Sequence, residues 1–258
     1  MKQPLSLLTL KKLPRPVFVR QEVMPPQHFF PKHQHEWHQL LYATSGVLIV
    51  EVLGERLFIP PEKAVWIPQG HEHQVYSEYG SSLKSLYIEH SDQFSDWQTS
   101  KVLKITPLLK QLILEASTFS VHYSRQGYEA ELIALMLASL HRLETDHDQL
   151  PWPASRDLYR LCQMFYEQPS LRKTTAKLAI ELSVSKRTLE RKFMKETGMS
   201  VQQWLLQLRF LKSLELLSAG YSITHIALEL GYGSSAAFIH MFRDKTGVSP
   251  GQFIKNAR

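Results

Sequence analysis

The stretch LAIELSVSKRTLERKFMKETGMS at residues 178–200 returns, altered but legible, as IALELGYGSSAAFIHMFRDKTGVS at 226–249. Leu178-Ala179-Ile180-Glu181-Leu182 matches Ile226-Ala227-Leu228-Glu229-Leu230 at an offset of 48 residues. Phe193 with Thr197-Gly198-Met199-Ser200 matches Phe242 with Thr246-Gly247-Val248-Ser249 at an offset of 49. The extra residue falls between the two matches, which reads as a turn between helices. Each copy is therefore a short helix, a tight turn (Ser183-Val184-Ser185; Gly231-Tyr232-Gly233) and a second helix. The small residues Ala179 and Ala227 let the two helices cross closely, and the second helix of such a pair can stand proud of its domain and enter a groove.

The ends of these helices are marked. Gly198 and Gly247 sit where a helix closes on a left-handed residue. Ser200 with Gln203 forms a capping-box pattern, and Ser249-Pro250 with Gln252 repeats it with proline in the first helical position. Between the copies, Leu205, Leu208, Leu211, Leu214 and Leu217 suit a buried connecting helix over 200–217.

Charge supports the same division. Of 258 residues, the first 154 carry 14 basic and 16 acidic side chains, whereas residues 155–258 carry 16 and 8. Ten of the 12 histidines lie in the first part. A basic domain suits a polyanion such as DNA. No apolar run is long enough to span a membrane, and the N-terminus lacks the pattern of a secretory leader, so no membrane partner is expected. The single cysteine, Cys162, reads as a small core residue on a helix; it excludes an internal disulfide framework and fits a cytoplasmic location.

Residues 17–90 alternate as short strands, with runs at 40–42, 47–53, 56–59, 64–67 and 83–89 separated by Ser45-Gly46, Gly54-Glu55, Pro60-Pro61, Gln69-Gly70 and Gly80-Ser81-Ser82. That spacing predicts an antiparallel barrel or sandwich. From about residue 101 the period becomes helical, with helices expected over 104–117 and 128–145. The second is apolar on most sides, so it needs more than one partner, either the barrel or a second copy of the chain; Leu132, Leu135 and Met136 are its candidate dimer residues. Residues 146–155, DHDQLPWPAS, read as a linker.

Residues 156–258 resemble the AraC/XylS family of bacterial regulators. The resemblance rests on Leu178-Ala179, Ser185, Leu189, Phe193, Gly198, Ser200, Ile226-Ala227, Gly231-Tyr232, Phe238, Phe242, Gly247, Ser249-Pro250 and Phe253. It implies two helix-turn-helix units, at 174–195 and 222–245, on a rigid connecting helix, with recognition helices entering successive major grooves about 34 Å apart. In the first recognition helix, 186–196, Lys186, Arg187, Glu190 and Arg191 form one exposed stripe, of which the resemblance makes Arg187, Glu190 and Arg191 the base readers; Lys192 and Lys195 are expected at phosphates or solvent, and Ser185 just ahead of the helix is a further DNA-binding candidate. In the second, 234–245, the exposed stripe is Ser235, Ala236 and His240, with Arg243, Thr246 and the N-terminal amides near Ser234 as phosphate contacts.

HQHEWHQLLYATSG at 33–46 and EKAVWIPQGHEHQV at 62–75 resemble the two motifs of the cupin barrel, with His33, His35 and His73 in ligand positions. Three inward imidazoles can hold a divalent transition metal, or they can line an effector pocket. The resemblance would put an acidic ligand where Gln39 stands. Trp37, Gln39, Tyr42, Trp66 and Tyr87 complete the candidate pocket. His28, His38 and His71 have no motif position and are expected to be solvated.

The expected fold class is α+β in two domains. A cupin-like sensing barrel spans 1–92, a helical dimerisation region 93–145, a linker 146–155 and an all-α DNA-binding domain 156–258. The expected function is a sequence-specific transcriptional regulator acting on double-stranded DNA as a homodimer, responsive to a small-molecule effector, in contact with RNA polymerase, and without a firm cofactor. The alternative is a metal-dependent cupin enzyme with a helical appendage.

Overall fold

The computed structural model describes residues 3–147 and 149–257, without the side chains of the last two; Asp148, in the expected linker, lies outside them. The chain divides into two compact units, 1–149 and 150–258.

The first unit begins with strands β1 (Gln3–Pro4), β2 (Val17–Met24), β3 (His28–His33), β4 (His38–Gly46) and β5 (Leu48–Val52). It continues with β6 (Glu55–Ile59), β7 (Lys63–Ile67), β8 (His73–Ser77), β9 (Ser81–Ile88) and β10 (Lys101–Lys104). They form two five-stranded sheets, ordered β1-β3-β8-β5-β6 and β10-β7-β4-β9-β2, antiparallel apart from the short β1–β3 pairing. Among the described residues no ladder joins the two sheets, which pack face to face over a shared core, within the expected barrel or sandwich class.

Alternation along each strand sorts the side chains. Leu41, Ala43, Val65, Ile67 and Leu83 of the second sheet meet Phe30, Leu48, Val50, Ile59 and Val75 of the first in the core between the sheets. Leu40, Tyr42, Ala64, Trp66 and Leu86 point the other way, into a second core built with helices α1 (Pro107–Ala116) and α2 (Tyr128–Leu140). The central strands β7, β4 and β9 of the second sheet thus carry apolar side chains on both faces, and the unit has three layers.

Both trailing helices are shorter than their apolar spacing predicts. Proline in the first position of α1, with Thr106 accepting from the Leu109 amide, sets its start at Pro107. The preceding residues 101–104 instead pair with β7 as an edge strand, which extends the sheet past residue 92. Helix α2 stops at Leu140 because the chain then turns onto β10, where Lys104 donates its amide to Glu144 and Leu103 bridges Thr145. Leu132 and Met136 belong to the chain's own core, which corrects the expectation that they face a second copy. Leu135 alone of that trio is exposed.

The expected linker is tied down on both sides of residue 148. Buried Asp146 pairs with Lys63 at 2.5 Å, and Gln149 accepts from the Phe58 amide at 3.1 Å. In the second unit, Pro151 accepts from Trp204 Nε1 at 2.7 Å, and Trp152 packs edge-on to Trp204.

The second unit holds α3 (Arg156–Glu167), α4 (Thr175–Glu181), α5 (Lys186–Thr197), α6 (Val201–Ser218), α7 (Ile223–Glu229), α8 (Ser235–Thr246) and α9 (Pro250–Ala257). Thr174, Ser185, Ser200, Ser222 and Ser234 each cap the helix that follows through a side-chain oxygen. The capping box of Ser200 and Gln203 is complete, and Gly198 and Gly247 close α5 and α8 at φ of 70° and 75°. Helix α6 runs through the middle of the unit with Trp204, Leu208, Leu211, Leu214 and Leu217 buried. Cys162 is buried on α3, where burial and nearby Glu196 push its thiol up, so it stays protonated and inert.

Candidate functional site

The helix-turn-helix units present unequal surfaces. On α5, Leu189 and Phe193 are each only 1% exposed, which rotates Lys186, Arg187, Glu190, Arg191 and Lys192 outward together. Glu190 pairs loosely with Lys186 at 3.7 Å, one turn apart. Arg187 and Arg191 therefore share a face at the start of the helix, where two planar guanidinium forks can reach guanine edges. Ser185 points its hydroxyl back to the Thr188 amide at 3.1 Å, so its side chain serves the helix.

On α8, Phe238 and Phe242 are buried and Ala236, His240 and Arg243 are exposed. Ser235 is half-buried and donates to Thr224 at 3.4 Å, while Ser234 caps the Ala237 amide. His240 lies 3.0 Å from Asp244, one turn along. That carboxylate, overlooked in the sequence, sets a negative charge on the face that would approach phosphates. Lys245 turns back to Gln207 at 2.9 Å.

The turn before α8 is held from behind. Gly231 adopts φ of 77°, and a Cβ there would stand 2.8 Å from the Cα of Ser170. Arg172 donates to the Gly231 carbonyl at 2.8 Å, and Arg209 of α6 donates to Pro169 at 2.8 Å. The second turn is thus built against the loop between α3 and α4, ahead of the first helix-turn-helix.

In the sandwich, His33 ends β3 directly across from His73, which begins β8, with a bulge between Phe30 and His33. His35 follows in the loop. Ring centroids are 4.3 Å apart for His33 and His73, 5.2 Å for His35 and His73, and 5.9 Å for His33 and His35. One nitrogen from each ring lies within 4.8 Å of the others. Each Nδ1 meets a backbone carbonyl two residues away: Pro31 at 2.7 Å, Trp37 at 2.8 Å and His71 at 2.9 Å. A carbonyl only accepts, so Nδ1 of His33 and of His73 carries the proton and those neutral rings keep a lone pair on Nε2, whereas both nitrogens of His35 face oxygen acceptors, the Trp37 carbonyl and Gln39 Oε1. His73 Nε2 is buried with no partner. Gln39 Oε1 stands 3.1 Å from His35 Nε2, and the Gln39 amide nitrogen donates to the Ser85 hydroxyl at 3.2 Å. Burial lowers the pKa of His33 and His35, and brings that of His73 to about 3, so all three are neutral at pH 7.

The space beside this cluster is about 20 Å³. It is lined by His33, Gln39, His73, Ser85 and Tyr87, with the Arg20–Glu22 ion pair of β2 (2.9 Å) on its wall. Burial raises Glu22 despite Arg20, and pushes the Tyr87 hydroxyl up to about 12.

Residues 15–159 match the family model of the AraC-like ligand binding domain, and residues 178–256 match that of a helix-turn-helix domain. The chain belongs to the AraC family. This AraC-family protein is a DNA-binding transcriptional regulator with an N-terminal ligand-binding domain, not an enzyme. It is 32% identical to the HTH-type transcriptional regulator NimR of Escherichia coli K12 over 224 residues, 87% of this chain and 82% of that protein. It is 24% identical to the transcriptional activator RhaS of Klebsiella pneumoniae, with 87% of each chain covered. Among solved structures, the DNA-binding domain of AdpA in complex with a target DNA covers 40% of this chain and 95% of its own at 30% identity, with a TM-score of 0.38. No described helix is long and apolar enough to cross a membrane.

Within this AraC-family chain the candidate pocket residues separate. His33, Gln39, His73 and Tyr87 line the cavity, and His35 and Trp37 adjoin it, their rings stacked at 5.3 Å. Tyr42 and Trp66 do not reach it: even-numbered positions of β4 and β7 face the helices, so both lie in the outer core. His38 is buried rather than solvated, stacked on Trp66 at 4.9 Å and accepting from the Gln69 amide through Nδ1. His28 and His71 are half-buried. The reading of the sequence missed Arg20, Glu22 and Ser85. Opposite charges two apart in a strand were the available signal for the first two, since they must share a face.

Proposed function

We propose that this regulator reads a specific DNA sequence chiefly through α5, with Arg187 and Arg191 as guanine readers and Glu190 as their partner at cytosine. Lys186 and Lys192 then hold phosphates, while α8 contributes mainly backbone contacts through Arg243 and its N-terminal amides near Ser234. The observation that carries this reading is the single outward stripe of cations on α5, set against the half-buried serine, alanine and acid-paired histidine of α8. The first unit binds a small effector at the His33–His35–His73 cluster, a donor set that also suits a divalent metal. The protein acts in the cytoplasm as a homodimer whose contact includes the exposed Leu108 and Leu135 of α1 and α2, and it communicates with RNA polymerase.

Randomised-site selection on the wild type and on Arg187→Ala, Arg191→Ala, Ser235→Ala and His240→Ala tests the DNA reading. The arginine variants relax preference at one half of the site, each bidentate contact being worth about 1–3 kcal/mol of discrimination. A sharper loss from the α8 variants would reverse the assignment.

A further inference from the structure

The edges of the two sheets in the first unit are not treated alike. Strand β10 is covered by the returning chain, through Lys104 with Glu144, Leu103 with Thr145 and the Asp146 amide on Val102. Strand β6 is met by Gln149 at the Phe58 amide, and β1 is only two residues long. Strand β2 runs for eight residues, pairs with β9 in unbroken register, and has no strand on its other side. The Glu89 amide donates to the Pro16 carbonyl, so even-numbered residues of β2 bond to β9 and odd-numbered ones turn their N–H and C=O outward. Tyr123 takes the outward carbonyl of Val17 at 3.0 Å. Among the described residues nothing bonds the outward groups of Val19, Gln21 and Val23, and Val23 is 67% exposed.

We propose that β2 is a self-recognition edge: two copies of the chain pair antiparallel along it, with the twofold axis at Gln21, and join their second sheets into one. An open strand of this length is normally blunted by lysine, proline or an inward charge, because it pairs with strands it meets. Charge is present here, but of both signs. The run Val19-Arg20-Gln21-Glu22-Val23 is symmetric about Gln21 in shape and antisymmetric in charge. In an antiparallel pairing centred on Gln21, Arg20 of each copy faces Glu22 of the other, and Val19 faces Val23. Like charges at those places would repel; these attract. The same register sets Val19, Gln21 and Val23, whose backbone groups point outward, in bonded pairs, adding roughly six backbone hydrogen bonds at two per pair. The faces agree as well. Arg20 and Glu22 lie on the cavity side, already paired at 2.9 Å, so the seam makes a ring of four alternating charges. Val19 and Gln21 lie on the helix side, Val19 against the outer core and Gln21 accepting from Lys84. The contact is separate from the one at Leu108 and Leu135. Lys84 ties Gln21 to Ser117, just past the end of α1, whereas Leu108 sits at its start, roughly 14 Å away along the helix.

The test uses the full-length protein with Gln21→Cys, mildly oxidised at micromolar concentration and run on a non-reducing gel. Directly opposed residues of a bonded pair stand about 5.5 Å apart between Cα atoms, within the span of a disulfide. The variant therefore crosslinks to a dimer, while the wild type, whose Cys162 is buried, does not. Val23→Cys alone gives no crosslink, since two such residues lie four places out of register, roughly 13 Å apart. Mixed with Val19→Cys it does. The charges are tested in the Gln21→Cys background. R20E and E22R each set like charges opposite one another and lower the yield by about tenfold. An equal mixture of the two restores it, because every cross-seam pair is then matched although the pair within each strand is broken. Circular dichroism checks that each charge variant folds; where one does not, the cysteine series alone decides. No crosslink from Gln21→Cys, or an equal yield from Val23→Cys alone, overturns the proposal, and so does a mixture of R20E and E22R that crosslinks no better than either. The helical contact at Leu108 and Leu135 is decided separately, by the sedimenting mass of its own variants.

Discussion

Acid should loosen the sandwich through His38. Its ring is fully buried, stacked on Trp66, with His90 Nδ1 3.4 Å from its Nε2 and with His35 and His71 nearby. Burial, reinforced by those neighbouring histidines, lowers its pKa from 6.5 to about 4. The unfolded chain therefore binds a proton that the folded one refuses. The stability His38 contributes is complete above pH 6.5 and drains away as pH falls from 6.5 toward about 4. Between pH 7 and pH 5 an unfolded imidazole gains about 1.9 kcal/mol from protonation and the folded one almost nothing, a net loss near 1.8 kcal/mol. Glu22, whose pKa is raised, acts in the opposite sense, so the wild type alone does not isolate the effect. His38→Gln does, since an amide oxygen can still accept from the Gln69 amide without titrating. Hydrogen exchange of peptides from β4 and β7, in chelator at pH 7 and pH 5, reports the opening free energy of this layer. The wild type should lose about 2 kcal/mol more than the variant over that interval. Equal losses in both would refute the argument and place the proton elsewhere.

Gly231→Ala should weaken DNA binding at the half-site under α8 while sparing the other half, because a Cβ 2.8 Å from Ser170 must displace the turn; operator variants scored by mobility shift would show it, and undiminished binding would contradict it. Leu108→Glu with Leu135→Glu should lower the sedimenting mass without unfolding the chain, whereas Met136→Glu, placing a charge in the core, should cost about 3 kcal/mol or more of stability; a wild type monomeric at micromolar concentration would end the dimer proposal. DNA affinity should fall steeply with salt, with a log–log slope that becomes shallower by about 1 when Lys192 is replaced by Ala; an unchanged slope would remove Lys192 from the phosphate contacts.

The DNA-binding unit was legible in the sequence almost to the residue, because its signals are local. Caps, closing glycines and the apolar spacing of α5 and α8 act within a few residues, and the duplication states each of them twice. The sandwich was legible as strands and turns, but the layer outside it was not. Tyr42 and Trp66 look like pocket residues beside a histidine motif. They are core residues because the second sheet is covered by helices on its far face, and that fact depends on helices that begin about forty or more residues further along the chain. The same cover explains His38, whose chemistry is set by Trp66 and Phe94 rather than by its neighbours in the chain. Helix α2 overran in the sequence reading for a related reason: nothing after Leu140 forbids helix, and only the edge of β10 draws the chain away.

The seat of Gly231 against Ser170 bears on how such a protein can be rebuilt. The two reading heads descend from one repeated plan, yet the turn of the later one uses the loop ahead of the earlier one as its backing, clamped by Arg172. They are no longer interchangeable parts. A chimera that takes one head from a different regulator, cut within α6, would strip the other of its support and should fail even when both donors fold well. A junction placed before residue 150 leaves that mutual brace intact. Duplication here has ended in dependence, so the smallest unit that can be transplanted is the pair.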